Sequence, residues 1–171
     1  MIIGLDVSTS TIGYSVFNES TKLVVLGFIN LTKLKILNEK ANFFLGAFKS
    51  VLKEHDIKRG DIKHIMIEEP LLAFFKFSNA KTLAKLQAFN GIISYTMSTF
   101  TGLEPELINA ARARKLVCGK LKKKSIKEEV FNFVKNIETQ IQWPLTRVGS
   151  YKKQCMDMSD AYVVGKSYFK R

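Results

Sequence analysis

The chain is poor in the residues that build thiolate metal sites, secreted scaffolds and linkers. Its two cysteines, Cys118 and Cys155, stand far apart, with no Cys-x-x-Cys pair and no neighbouring histidine. A zinc site and a disulfide framework are therefore excluded, and both thiols read as reduced bystanders. Only Pro70, Pro105 and Pro144 interrupt the 171 residues, and no repeat, low-complexity segment or Pro/Gly-rich linker divides them, so a single domain over 1–171 is expected. Apolar runs such as 23–30 fall far short of the roughly 20 residues that a membrane helix needs. Met1-Ile2-Ile3-Gly4 opens without a basic leader. The expectation is a soluble, cytoplasmic protein with no membrane partner.

Acid is scarce too. Asp+Glu number 15 against 27 Lys+Arg, a formal net charge of +12. Such an excess describes partners rather than fold, and nucleic acid leads among them. Arg112, Arg114, Lys115, Lys120, Lys122, Lys123, Lys124 and Lys127 fall in one stretch with no acid between them. A block of like charge is either a solvated face or a polyanion contact.

Hydropathy patterning supplies the architecture. Residues 2–6, 12–17 and 23–29 are β-type runs separated by Ser8-Thr9-Ser10-Thr11 and Asn18-Glu19-Ser20, an antiparallel meander. Leu37, Ala41, Phe44, Leu45, Phe48, Val51 and Leu52 recur at helical steps. His64-Ile65-Met66-Ile67-Glu68 reads as a buried strand stopped by Pro70. A helix is expected over 79–99 on Leu83, Leu86, Asn90, Ile93 and Met97, with Gly91 permitting close approach, followed by a short strand over 106–109. Helical pieces follow over 110–117 and 125–136, the second with Ser125 and Glu128 at capping-box spacing, and a last helix starts near Met156. Strands joined through helical crossovers pair in parallel, so an α/β fold is expected, a five-stranded mixed sheet with helices on both faces.

Three of the five aspartates fall where a sheet-centred site needs them. Asp6 ends the first strand, Glu68 ends the fourth, and Asp157 and Asp160 share one helix face. Each also has a plainer reading: Asp6 as the start of an Asx-type turn, Glu68 and Glu69 as a solvated strand end, Asp157 and Asp160 as complements to a helix dipole. If the four converge, like charges about 4 Å apart repel by roughly 4 kcal/mol at an effective dielectric near 20. An all-oxygen donor set favours Mg²⁺, with Mn²⁺ as a substitute, over zinc. Two such ions per site, about 3.5 to 4 Å apart, suit in-line phosphodiester displacement.

Taken together, these segments resemble the RuvC family of Holliday junction resolvases, within the RNase H-like (retroviral integrase) superfamily. Ile2-Ile3-Gly4-Leu5-Asp6 with Thr11-x-Gly13-Tyr14-Ser15-Val16 resembles the family's first two strands, and Ile67-Glu68 its fourth. Asn79-Ala80-x-x-Leu83-x-x-Leu86 with Gly91 resembles the next helix. Asn109-Ala110-Ala111-Arg112 with Lys115, Gly119 and Lys124-Ser125 resembles the basic segment, and Asp157-x-x-Asp160-Ala161 the closing motif. The resemblance implies an RNase H-like fold, with Asp6, Glu68, Asp157 and Asp160 as metal ligands. It places Arg114 or Lys115, together with Lys124, near the scissile phosphate, Lys124 in a catalytic role. It favours Glu68 over its neighbour Glu69, since only one of two adjacent strand residues faces the site. It further implies a homodimer acting on a DNA four-way junction by paired symmetric nicks, leaving 5′-phosphate and 3′-hydroxyl ends, in the host cytoplasm if the chain is phage- or virus-encoded.

Departures accompany the likeness. Asp6-Val7-Ser8-Thr9 replaces the family's Asp-Pro-Gly with a hydroxyl-rich turn, in which Ser8 is a candidate to bond phosphate or to cap the loop. Phe74, Phe75 and Phe77 all fall in the loop where the family inserts one aromatic residue at the junction centre, and core or dimer packing is an equal reading for each. A broader fork or flap nuclease and a non-catalytic junction binder are the alternatives within the same fold. A nucleotide-binding module of the actin-like ATPase type is disfavoured, because 171 residues supply neither its second domain nor its second phosphate loop.

Overall fold

Alternation along β1 (Ile2–Val7) decides how the layers assemble. Ile3, Leu5 and Val7 enter one apolar cluster while Ile2 enters the other, so Gly4 and Asp6 share the side of the sheet that Ile2 faces. The computed structural model describes residues 1–70, 80–121 and 125–171. Around β1 run β2 (Thr11–Phe17), β3 (Leu23–Asn30), β4 (His64–Glu68) and β5 (Glu106–Ile108). The sheet order is β3-β2-β1-β4-β5. β1, β2 and β3 pair antiparallel, whereas β4 pairs parallel with both β1 and β5. The five-stranded mixed sheet is the one expected, with the fourth strand beside the first.

One face is covered by α1 (Leu37–Glu54) and α2 (Ala80–Thr101). Ala41, Phe44, Phe48 and Leu52 from α1 and Phe89, Ile93 and Met97 from α2 pack there with Ile3, Leu5, Ile65 and Ile67. The other face carries α5 (Gln154–Ser167), itself covered by α3 (Ala110–Cys118) and α4 (Ile126–Ile137). Being enclosed on both sides, α5 buries ten of its 14 residues, among them Asp160 and Ser159.

The close approach of α5 to the sheet depends on glycine. A Cβ at Gly4 would stand 2.4 Å from the Gly165 nitrogen and 2.5 Å from the Ala161 carbonyl oxygen, and one at Gly13 would stand 2.1 Å from the Asp157 carbonyl oxygen. Gly91, the glycine expected to permit close packing, is exposed on α2 and has nothing near it. That expectation came from helical spacing alone, which says nothing of what lies opposite. The expected capping box at Ser125 is also absent, because the Ser125 hydroxyl reaches Glu129 at 3.4 Å instead of capping the helix backbone. Among the described residues no helix is long and apolar enough to cross a membrane, and both cysteines are unpaired.

Candidate active site

Asp6 lies near the C-terminal end of β1 and Glu68 at the C-terminal end of β4, the two strands being parallel neighbours. Ile65 and Ile67 turn toward α1 and α2, so Met66 and Glu68 turn toward α5. α5 brings Asp160 to the same edge. Carboxylate oxygens of Asp6, Glu68 and Asp160 lie within 4.8 Å of one another. Glu69 is outside this group, its backbone N–H donating to the Ile108 carbonyl at 2.8 Å. Asp157, one turn before Asp160, is also outside it, although its charge is felt at both Asp6 and Glu68.

The electrostatics follow from burial. Desolvation, then the charges of Glu68, Asp160 and Asp157, hold the Asp6 carboxyl well above its usual range. Glu68 is pushed up to about 7, by burial first and by Asp160 next, with Arg114 and Lys127 pulling the other way. Burial raises Asp157 as well, and Lys127 and Lys153 oppose the shift. The repulsion among carboxylates crowded in this way is relieved by a proton or by a nearby cation.

Part of that counter-charge is built in. Arg114 on α3 donates from Nε at 3.0 Å and Nη2 at 2.8 Å to Oδ1 of Asp160. Lys127 at the start of α4 places Nζ 3.6 Å from Oδ2 of the same carboxylate. Asp160 is only 3% exposed and Arg114 18%, so this is a shielded pair rather than a surface one. The three converging carboxylates offer oxygen donors only, and Asp6 and Glu68 keep elevated proton affinity despite the opposing charge of Lys127 at both and of Arg114 at Glu68. That chemistry fits a hard divalent cation such as Mg²⁺ or Mn²⁺.

The turn after β1 is tied internally. The Ser8 hydroxyl accepts from the Thr11 N–H at 3.0 Å and donates to the Thr11 carbonyl at 2.8 Å, which is the loop-capping alternative for this residue. Beneath the turn, Lys40 of α1 is buried and donates to the carbonyls of Thr9 and Leu31. Sequence reasoning missed Lys40, Lys127 as a neighbour of Asp160, and Asn90 as a donor to the Glu68 carbonyl at 3.0 Å. A lysine at an otherwise apolar position of the α1 pattern was the one available signal.

The remaining basic candidates spread over the surface of this layer. Arg112 and Lys115 are exposed on α3, and Lys120 is exposed just beyond it. The Asn109 side chain caps that helix, accepting from the N–H groups of Ala111 and Arg112. Phe74, Phe75, Phe77, Lys122, Lys123 and Lys124 lie outside the described residues.

Solved structures that match over nearly the whole chain include two of RuvC. T. thermophilus RuvC in complex with a Holliday junction substrate superposes with a TM-score of 0.62 at 14% identity, covering 99% of this chain and 93% of that one. The fold is RuvC-like. A second Thermus thermophilus RuvC structure matches with a TM-score of 0.61 at 13% identity over the same shares. The RNase H-like architecture expected from the sequence is thus the one present. No protein-family model and no curated protein sequence matches the chain.

Proposed function

We propose that this protein is a divalent-metal-dependent endonuclease of branched DNA, with the four-way junction as its preferred substrate. The observation that carries the reading is the convergence of Asp6, Glu68 and Asp160 at one edge of a RuvC-like sheet, on a chain of net charge +12. The acidic cluster supplies a metal site and the basic surface supplies affinity for phosphate. Neither feature alone requires the other.

In this reading Asp6, Glu68 and Asp160 hold Mg²⁺, with Asp157 completing the set as the helix adjusts. When bound, the metal supplies an activated water and a counter-charge for the leaving oxygen. The protein's own groups do the rest. Asp160 is oriented by Arg114, and Asp6 and Glu68 are oriented by the parallel pairing of their strands. Lys127 and the exposed Arg112, Lys115 and Lys120 draw in the DNA backbone, with Lys122, Lys123 and Lys124 extending the same basic run and Lys124 serving the scissile phosphate. Phe74, Phe75 and Phe77 are the candidates for wedging the junction centre. A single domain of this size acts as a homodimer, because two opposed nicks in a two-fold junction need two sites related by the same symmetry.

The test incubates wild type and Asp6→Asn with end-labelled four-way junction, fork, flap and linear duplex, with Mg²⁺ or EDTA. Paired symmetric nicks confined to the junction, lost in EDTA and in the variant while binding persists, are the expected result. Equal cutting of forks and flaps makes the protein a broader branch nuclease. Binding without cleavage by the wild type overturns the catalytic reading.

A further inference from the structure

The segment joining α4 to α5 forms a second basic feature at the carboxylate edge of the sheet. α5 runs antiparallel to β1, since Gly4 faces Ala161 and Gly165 whereas Gly13, the register partner of Asp6, faces Asp157. Residues before Asp157 therefore project past the edge where the carboxylates gather, by about 1.5 Å per residue while the helix lasts. Immediately before α5, Leu145 and Tyr151 pair as an antiparallel bridge. Thr146 N–H donates to the Ser150 carbonyl at 2.7 Å and Gly149 N–H to the Thr146 carbonyl at 3.1 Å, with Gly149 at φ +80 closing the turn.

This hairpin is held in a defined pose. The Phe131 ring of α4 meets Trp143 at 5.0 Å and Tyr151 at 4.9 Å, both edge-on, and Lys135 Nζ lies 5.0 Å from the centre of the Tyr151 ring. Among the described residues, no hydrogen bond or ion pair engages the side chains that it presents outward. Val148 at the tip is 87% exposed, and Arg147 and Lys152 are exposed on either side of it. No acid lies between Glu138 and Asp157 in the sequence, so Arg147 and Lys152 have no acidic neighbour along the chain, whereas Lys153 feels the charge of Asp157. A cationic, apolar-tipped hairpin on the α5 side that carries the carboxylate cluster matches a sugar–phosphate strand in both charge and polarity pattern.

We propose that the Leu145–Tyr151 hairpin is a DNA-binding arm, with Arg147 and Lys152 on the phosphates of the duplex arm next to the cleavage site and Val148 against its sugars. This rests on the nuclease reading above for its substrate. It adds a contact surface just before α5, separate in sequence from the basic stretch over 112–127.

The test measures junction binding by the full-length protein in EDTA across a salt series, for wild type, Arg147→Ala/Lys152→Ala and the charge-keeping Arg147→Lys/Lys152→Arg. Loss of two phosphate contacts lowers the slope of log affinity against log salt by about 1.8, and the charge-keeping pair restores it. Unchanged affinity and slope in the alanine pair overturn the proposal, as does weaker binding with an unchanged slope and a lowered melting temperature, which marks a folding defect. Wild type that binds in EDTA but does not cleave once Mg²⁺ is supplied in excess leaves the arm standing and removes the catalytic reading. Wild type that binds no DNA removes both.

Discussion

Arg114 sets both Nε and Nη2 on a single oxygen of Asp160, tying α3 to α5 across 46 residues of sequence. The other Asp160 oxygen is left toward Lys127. The guanidinium is thus an internal counter-charge for a carboxylate that also belongs to the acidic cluster; burial opposes its charge, but Asp160, Glu68 and Asp6 together hold its proton more tightly than usual.

Removing that counter-charge leaves the buried Asp160 carboxylate facing only the exposed Lys127 at 3.6 Å. Arg114→Ala is expected to cost the metal-free protein about 3 kcal/mol, read by urea unfolding in EDTA. Added Mg²⁺ recovers part of the loss, since a cation again faces Asp160. A variant as stable as wild type in EDTA would show that the pair contributes nothing net.

The acidic cluster makes stability and metal affinity respond to pH in opposite senses. Glu68 titrates at about 7 in the folded chain against an ordinary 4.5, so the native state binds its proton more tightly than the unfolded state. Its contribution is complete below pH 4.5 and disappears as pH rises through about 7. Asp6, raised by burial and its acidic neighbours, acts in the same direction. The wild-type melting temperature in EDTA, compared with that of Glu68→Gln, should lose ground across this window. Calorimetric Mg²⁺ binding should tighten across it, because the ligands must ionise. A constant difference between the two proteins at all pH values contradicts the assignment.

Lys40 supports the turn that follows Asp6 from below. Lys40→Met keeps the aliphatic stem and strands the carbonyls of Thr9 and Leu31, a loss of about 2 to 3 kcal/mol in urea unfolding. Proteolytic nicking between Val7 and Thr11 should rise in parallel. No change in either measurement would mean that water replaces the ammonium group without cost.

Two glycines give opposite outcomes. Gly13→Ala pushes a methyl group into the Asp157 backbone, for which α5 must move, and about 3 kcal/mol of stability is expected to go with it. Gly91→Ala meets nothing and lies within α2, so it should stabilise the protein by about 0.8 kcal/mol. Paired thermal melts decide both, and the reverse order would invalidate the packing described for α5.

The element order and the position of each carboxylate on its element were legible in the chain, because hydrophobic periodicity is local. The apolar run 65–67 stopped by Pro70 makes a buried strand ending in Glu68, and the spacing of Asp157 and Asp160 puts them on one helix face, whatever surrounds them. Parallel pairing of β1 with β4 followed from the helical crossover between them. Tertiary structure alone decided which acids meet: Glu68 rather than Glu69, and Asp160 more closely than Asp157. It alone assigned Arg114 to Asp160, Lys40 to the carbonyls under the β1–β2 turn, Asn90 to Glu68, and the close contacts to Gly4 and Gly13 instead of Gly91. Each of these depends on the distance between atoms far apart in sequence, set by how α5 and the two helical layers seat on the sheet. Periodicity records which face of an element is buried, and carries no information on what that face will touch.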